Sequence, residues 1–486
     1  MKNKLQFHQL FFKQFDENFY EIIDPYKFSN PQLIYLNKNL IDDLQLDFSQ
    51  FNQPHIAKIL AGSLIHESSR PIAIAYAGHQ FGNFVSQLGD GRAILLGEIM
   101  DKKNHYYDLQ LKGSGPTKFS RRGDGFATLA SAIRELIIGE SLHYLNVPTT
   151  RILSLSLTNS PVFREVINHG AVASRLLSSQ LRVGSFEYLA SRHDKIALKK
   201  LTDFAVDRHY PSIKNSENKV LEFFEKVVKN QAILIAKWQS LGFIHGVMNT
   251  DNMSIAGQSL DFGPCAFLDE YDDKKVFSAI DKYGRYSFGN QPKIAKWNLW
   301  ILLNSLSIIF DDHQQGLMIL DKFLSQYEDN YYKIMSQKLG FKDKIVKELV
   351  DEFLEILKKN YADYTKSFRD LSTNLLNPNS PIIKAEDYKK WFENWRKKIG
   401  ENYGFAYKNL EKIAEEMNKI NPLIIARNHL VEEVIVASNS LDFKPLEKLL
   451  KALESPFGEN LDENSLRYFS NPPTTKQKVR QTFCNT

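Results

Sequence analysis

The sequence predicts an α+β fold in two lobes, strand-rich first and helical second, with a helical C-terminal extension. Two observations carry that prediction. Between residues 71 and 172, short apolar runs are punctuated by Gly, Pro, Asn and Asp, the grammar of strands and turns. Beyond residue 172, apolar positions recur every three or four residues, the period of amphipathic helices. Composition agrees, with 43% apolar and 24% charged residues, a globular balance too hydrophobic for a disordered chain. The 486 residues are, as a prior, about three domains' worth of chain. A chain of that size buries roughly 75% of its unfolded surface, so it needs no disulfide or metal staple.

Residues 1–70 read as an N-terminal extension in which asparagines and prolines interrupt any long period. Residues 71–172 form the strand-rich lobe, with one helix predicted over 126–145 from Leu129, Ile133, Leu136, Ile137 and Leu142. Residues 173–310 form the second lobe. Its strongest element is a helix over 217–241, with Ser216 as the predicted N-cap. A compact loop, strand, turn, strand passage follows over 242–271. Residues 311–465 read as the helical extension. Across the helical half the clearest segments are 294–310, 344–359, 385–398 and 409–420. The last stretch, 466–486, is polar and basic and is expected to be extended or mobile.

Several function classes are excluded as defaults. Lysine and arginine total 62 against 57 aspartates and glutamates, a net charge of +5. Spread over the whole chain, this predicts neither nucleic acid nor a membrane surface as partner. The best apolar run, 297–310, is 14 residues long and contains Asn298, Asn304 and Ser305, too short and too polar to span a bilayer. The N-terminus mixes Lys2, Lys4 and Lys13 with Asp16 and Glu17, unlike a signal or transit peptide. A cytoplasmic monomer is the expectation. Two cysteines are too few for a disulfide framework or a four-cysteine zinc site.

Three glycine-rich polar stretches carry the chemistry: QLGDGR from Gln87, LKGSGPTKFSRRGDG from Leu111, and FIHGVMNTDNMSIAGQSLDFG from Phe243. Glycines let backbone N–H groups approach a ligand, and neighbouring Lys or Arg supply phosphate partners. The third stretch is the most informative. HGVMNTDN, residues 245–252, has the length and register of the protein-kinase catalytic loop, and Asp261-Phe262-Gly263 matches the kinase metal-binding triplet. A hairpin of 253–255 with 258–260 is predicted between them. Asn252 and Asp261 would then converge on one divalent cation, completed by phosphate and water. Lys112 follows an apolar strand and Glu135 lies mid-helix 23 residues later, the kinase lysine–glutamate arrangement.

One mismatch redirects the reading. Where kinases carry the aspartate that accepts the substrate's proton, this chain has Val247. Asp251, beside Asn252, is the nearest replacement. The cations Lys118, Arg121, Arg122, Arg175 and Arg182 all follow Lys112 instead of preceding it.

With those motifs, and with YAGHQFGNFVSQLGDGRA, GRYSFGNQP and ARNHLVEE, the chain resembles the selenoprotein O family of kinase-like protein adenylyltransferases. The resemblance covers most of the chain. It implies a protein-kinase-like two-lobe fold, formally a pseudokinase, that binds ATP in a flipped orientation with Mg²⁺ or Mn²⁺. It implies transfer of AMP to Ser, Thr or Tyr hydroxyls of protein substrates. Carried over residue by residue, it implies nucleotide contacts at Gly89, Gly91, Arg92, Lys112, Asp124, Gly125, Arg175 and Arg182. It also implies Asp251 as proton acceptor and Asn252 with Asp261 as metal ligands. An atypical kinase and a non-catalytic, nucleotide-binding pseudokinase remain as alternative readings. Family members carry a cysteine or selenocysteine near the C-terminus; Cys484 stands there, and both a redox link to Cys265 and two separate thiols stay open.

Overall fold

Among the described residues of the computed structural model (3–379, 382–458 and 461–483), nine strands form one sheet. Seven lie in the order Tyr20–Ile22, Ile72–Gln80, Ala93–Met100, Tyr106–Lys112, Ile167–Leu177, Arg151–Phe163, Gln32–Leu36. Asn83–Gly89 pairs with Ile72–Gln80, and Ala127–Thr128 with Ile167–Leu177. All of these pairings are antiparallel. Two sheet strands, Tyr20–Ile22 and Gln32–Leu36, come from the first 70 residues. Phe11, Phe15 and Phe19 from the same segment are buried in the main core.

The helix predicted over 126–145 forms as Leu129–Tyr144, its N-cap Thr128 accepting the Ser131 N–H at 3.3 Å. It is almost wholly buried, because the sheet covers one side and the helices Asn428–Asn439 and Lys444–Leu453 pack against another. The chain's last helices therefore return to the sheet-rich lobe.

The second half is helical, and the long helix Lys219–Leu241 runs through its core. That helix stops at Gly242, whose φ of 71° is left-handed and readily adopted by glycine. The other segments singled out form as Gln291–Leu306, Lys347–Lys359, Glu386–Tyr403 and Tyr407–Ile420.

Three local expectations are corrected. Ser216 is not the N-cap of the long helix, because Asn218 stands there; Ser216 instead bonds Glu222 and the Asn218 N–H. The turn at Ser254–Gly257 closes at 3.3 Å, but its flanks do not pair with each other. Ser254 bridges to Arg182 and Ser259 to Thr149, since neighbouring chain already offers those edges. The tail is not loose throughout. Glu463–Ser470 is a helix, and Thr482 is anchored by its N–H to the Phe277 carbonyl at 2.8 Å and its hydroxyl to the Pro264 carbonyl at 2.7 Å. Cys265 is fully buried, and Cys484 lies outside the described residues. No helix among the described residues is long and apolar enough to cross a membrane.

Candidate functional site

Strand register assembles the cationic wall. Alternation along Tyr106–Lys112 puts Gln110 and Lys112 on one face. On the antiparallel neighbour, Arg175 stands opposite Gln110 and Ala173 opposite Lys112. Arg175 thus reaches the same face as Lys112, on the diagonal. Glu135 meets both, at 2.6 Å from Lys112 Nζ and 3.3 Å from Arg175 Nη1. The predicted lysine–glutamate pair forms.

Asp261, from the stretch that follows the long helix, faces this wall. Its Oδ1 accepts from Lys112 Nζ at 3.2 Å and from Arg175 Nη1 at 2.5 Å, and its Oδ2 from Arg182 Nη1 at 3.2 Å. Burial pushes this carboxyl up, but Arg175, Lys112 and Arg182 outweigh it and hold the group well below its ordinary range. Its φ of 61° is left-handed, uncommon for a non-glycine residue. Arg182 also donates to the Asp251 carbonyl at 3.0 Å and lies 4.7 Å over the Tyr76 ring.

Asp251 sits on a single turn, Thr250–Asn252, and is buried. Its Oδ2 accepts from Gln80 Nε2 at 3.3 Å, whereas Oδ1 has no partner among the described residues. Burial raises its pKa to about 6, against the opposing pull of Arg182 and the Gln80 bond. That oxygen is buried against Gly78, and a carboxyl whose pKa is raised by burial in this way is a functional-site candidate. Asn252 spends its amide nitrogen on the Val247 carbonyl at 3.1 Å, which leaves its carboxamide oxygen for a ligand.

These groups surround a cavity of about 280 Å³. Gly91, Arg92, Lys112, Arg175, Asp251, Asn252 and Asp261 line it, with Val247 at the position of the kinase base. Arg182 stands just behind, bonded to Asp261. Gly89, Asp124 and Gly125 lie outside the lining. Gly89 packs against Phe119, where a Cβ would come within 2.4 Å of the ring. Gly125, at φ 72°, abuts the Gly115 backbone, and Asp124 is held by Arg164 at 2.7 and 3.0 Å. They pack within the first two glycine-rich stretches. His245 and His79 are hydrogen-bonded within the protein, to the Leu260 carbonyl at 2.8 Å and to Glu187 at 2.5 Å.

Several lining residues were not singled out from the sequence: Tyr76, Asp90, Arg134, Glu432, Ile435 and Phe483. Asp90 had a signal, an acid between two glycines in QLGDGR; burial raises its pKa to about 6 despite Arg182 and the Ile74 N–H bond. Arg134 bonds Asn428 at 3.0 Å and pairs with Glu432, so the returning C-terminal helix closes one side of the cavity. No local pattern announces a partner that far along the chain.

Among the described residues no cluster of three or more His, Cys, Asp or Glu could by itself hold a metal ion. The Asp261 carboxylate and Asn252 carboxamide are hard oxygen donors, a set that fits Mg²⁺ or Mn²⁺ shared with phosphate oxygens. The family model described as protein adenylyltransferase SelO matches residues 3–454. The chain belongs to this family. Among its relatives, the protein nucleotidyltransferase YdiU of Bacillus cereus (strain AH187) is 42% identical over 478 residues, 97% of this chain and 96% of the relative. The protein of the same name from Bacillus mycoides (strain KBAB4) is 42% identical over 481 residues, again 97% and 96%. That from Pelagibacter ubique (strain HTCC1062) is 41% identical over 482 residues, 98% of each chain. Members of the SelO family are thus similar to this chain across nearly its whole length.

Proposed function

We propose that this SelO-family chain is a protein adenylyltransferase that transfers AMP from ATP to Ser, Thr or Tyr hydroxyls of proteins and releases pyrophosphate. Family membership supports the reaction class, and a protein-kinase-like two-lobe frame is its natural setting. The observation that carries the mechanism is the cation wall: Lys112, Arg175 and Arg182 meet at Asp261, deep in the cavity, while the kinase base position holds Val247. These three buried cations stand together on one side of the cavity, where a triphosphate tail would meet them. The nucleotide then lies reversed relative to a kinase, with Arg175 and Arg182 toward the terminal phosphates and the α-phosphate near Asn252 and Asp261.

In that pose the acceptor's hydroxyl oxygen attacks the α-phosphorus. The bond from that phosphorus to the bridging oxygen breaks, and pyrophosphate leaves with the electron pair. The hydroxyl's proton passes to Asp251, whose unpartnered Oδ1 and raised pKa suit acceptance near neutrality. Asn252 and Asp261 would hold the divalent cation, which when bound neutralises phosphate charge. Positioning and charge neutralisation by Lys112 and the arginines supply most of the acceleration.

Incubation with ATP labelled separately at the α- and γ-phosphates tests this. Label retained on protein from the α position alone is the expected result. Label from γ alone would make the chain an atypical kinase, and label from neither a nucleotide-binding regulator.

A further inference from the structure

Each of the two buried arginines, Arg175 in the cavity lining and Arg182 behind it, is gripped by a glutamine. Gln110, fully buried, stands across the strand pair from Arg175 and accepts its Nε–H at 2.6 Å. Arg175 places Nη1 on Asp261 and Glu135, which leaves Nη2 without a protein acceptor among the described residues. Gln180, also buried, accepts from Arg182 twice, at Oε1 from Nη2 and at its own carbonyl from Nε, both at 3.2 Å. Its own N–H donates at 2.6 Å to Asp108, which is in turn fixed by Arg208 at 2.6 Å. The amide nitrogens of both glutamines are buried with no acceptor among the described residues.

We propose that Gln110 and Gln180 are positioning residues that aim Arg175 and Arg182 while keeping their charge available for the nucleotide's terminal phosphates. The inference rests on the reversed-nucleotide reading above. A side chain retained for packing alone would be better as Leu or Met, since an unmatched buried amide donor costs free energy. One retained to stabilise the arginines would be better as Glu, which pairs with guanidinium through a charge-assisted bond. Glutamine does neither. Its oxygen fixes the planar guanidinium, and its neutrality adds no further anion to the Asp261 and Glu135 carboxylates already beside the arginines. The same acceptor type at both arginines, from unconnected parts of the chain, argues for a shared requirement.

The test uses the full chain and measures affinity by calorimetry for AMP and for an ATP analogue with a methylene α–β bridge. Gln110→Glu and Gln180→Glu are expected to fold normally and to bind the analogue about tenfold or more weakly, with AMP unchanged. Gln180→Met, close in volume and lacking the acceptor, is expected to lose several-fold in kcat/KM and in analogue affinity while AMP holds. It carries the test if a Glu variant fails to fold. Wild-type affinity for the analogue in the folded variants overturns the proposal. Equal losses for AMP and the analogue also overturn it, in favour of a packing role. Arg182→Ala, measured alongside, separates the two levels of inference. If it leaves analogue affinity intact, the phosphate reading itself fails; if it weakens the analogue while the glutamine variants do not, only the glutamine proposal fails.

Discussion

Asp261→Asn is the most discriminating substitution, because its effect on nucleotide binding should change sign with metal. The carboxylate is the common acceptor for Lys112, Arg175 and Arg182, and Asn keeps its shape while removing the charge. Glu135 still holds Lys112 and Arg175, but Arg182 loses its only carboxylate partner among the described residues. Breaking a buried ion pair costs about 3–5 kcal/mol. With Glu135 retained and the Asp261 side chain 20% exposed, the low end, about 3 kcal/mol, is expected for stability. Phosphate binding without metal responds oppositely. A unit charge roughly 5 Å from a phosphate, at an effective dielectric near 20, repels it by about 3 kcal/mol. Even a third of that, recovered, tightens metal-free ATP binding by roughly fivefold. With Mg²⁺ or Mn²⁺ present, affinity and AMP transfer should instead collapse, since the one anionic ligand is gone. Calorimetry with ATP in chelator and in excess metal, together with thermal melts, reads all three effects. Unchanged metal-free affinity combined with wild-type metal dependence would refute the reasoning.

Three further outcomes follow from the geometry. Asp251→Asn should preserve the melting temperature and ATP affinity while lowering transfer by about 10²–10⁴-fold; parallel loss of ATP binding would instead make Asp251 a ligand for the nucleotide or its metal. Arg427→Met removes a buried guanidinium that bridges Asp269 at 3.0 Å and Asp363 at 2.8 and 3.0 Å, and should cost about 3–5 kcal/mol at pH 7.5 by denaturant unfolding. Burial, opposed by Arg427, already raises the Asp269 pKa to about 6, so the folded state binds the extra proton and stability falls as pH rises from about 4 through 6. Without Arg427 that fall steepens, so the variant's deficit should shrink below pH 6; a deficit independent of pH would contradict the assignment. Finally, Arg134→Ala should lower kcat more than it raises the KM for ATP, because Arg134 joins the helix bearing Glu135 to Asn428 and Glu432; a pure KM effect would place Arg134 on the nucleotide instead.

The sequence by itself determined what depends on neighbours a few residues apart. Strand alternation put Lys112 at a strand end, helical periodicity put Glu135 on an inward face, and 245–263 carried the kinase-like loop and the Asp-Phe-Gly triplet in contiguous residues. Each is a short-range pattern, and the Lys112–Glu135 pair at 2.6 Å came from two of them. Even short range had limits. Ser216 and Asn218 are both good caps, and only the docking of the long helix chose between them. The Met253–Leu260 segment could have paired with itself, but the edges at Thr149 and Arg182 were closer partners in the folded chain. What the tertiary structure alone decided were the long-range meetings: Arg182 with Asp261, Arg427 with Asp269 and Asp363, Arg134 with Glu432 some 298 residues away, and Thr482 under Pro264. Buried charges require partners, and sequence shows the requirement without naming who meets it. The partner is fixed only when the apolar faces have packed, because that packing, not the weaker attraction between distant charges in water, brings the segments within reach.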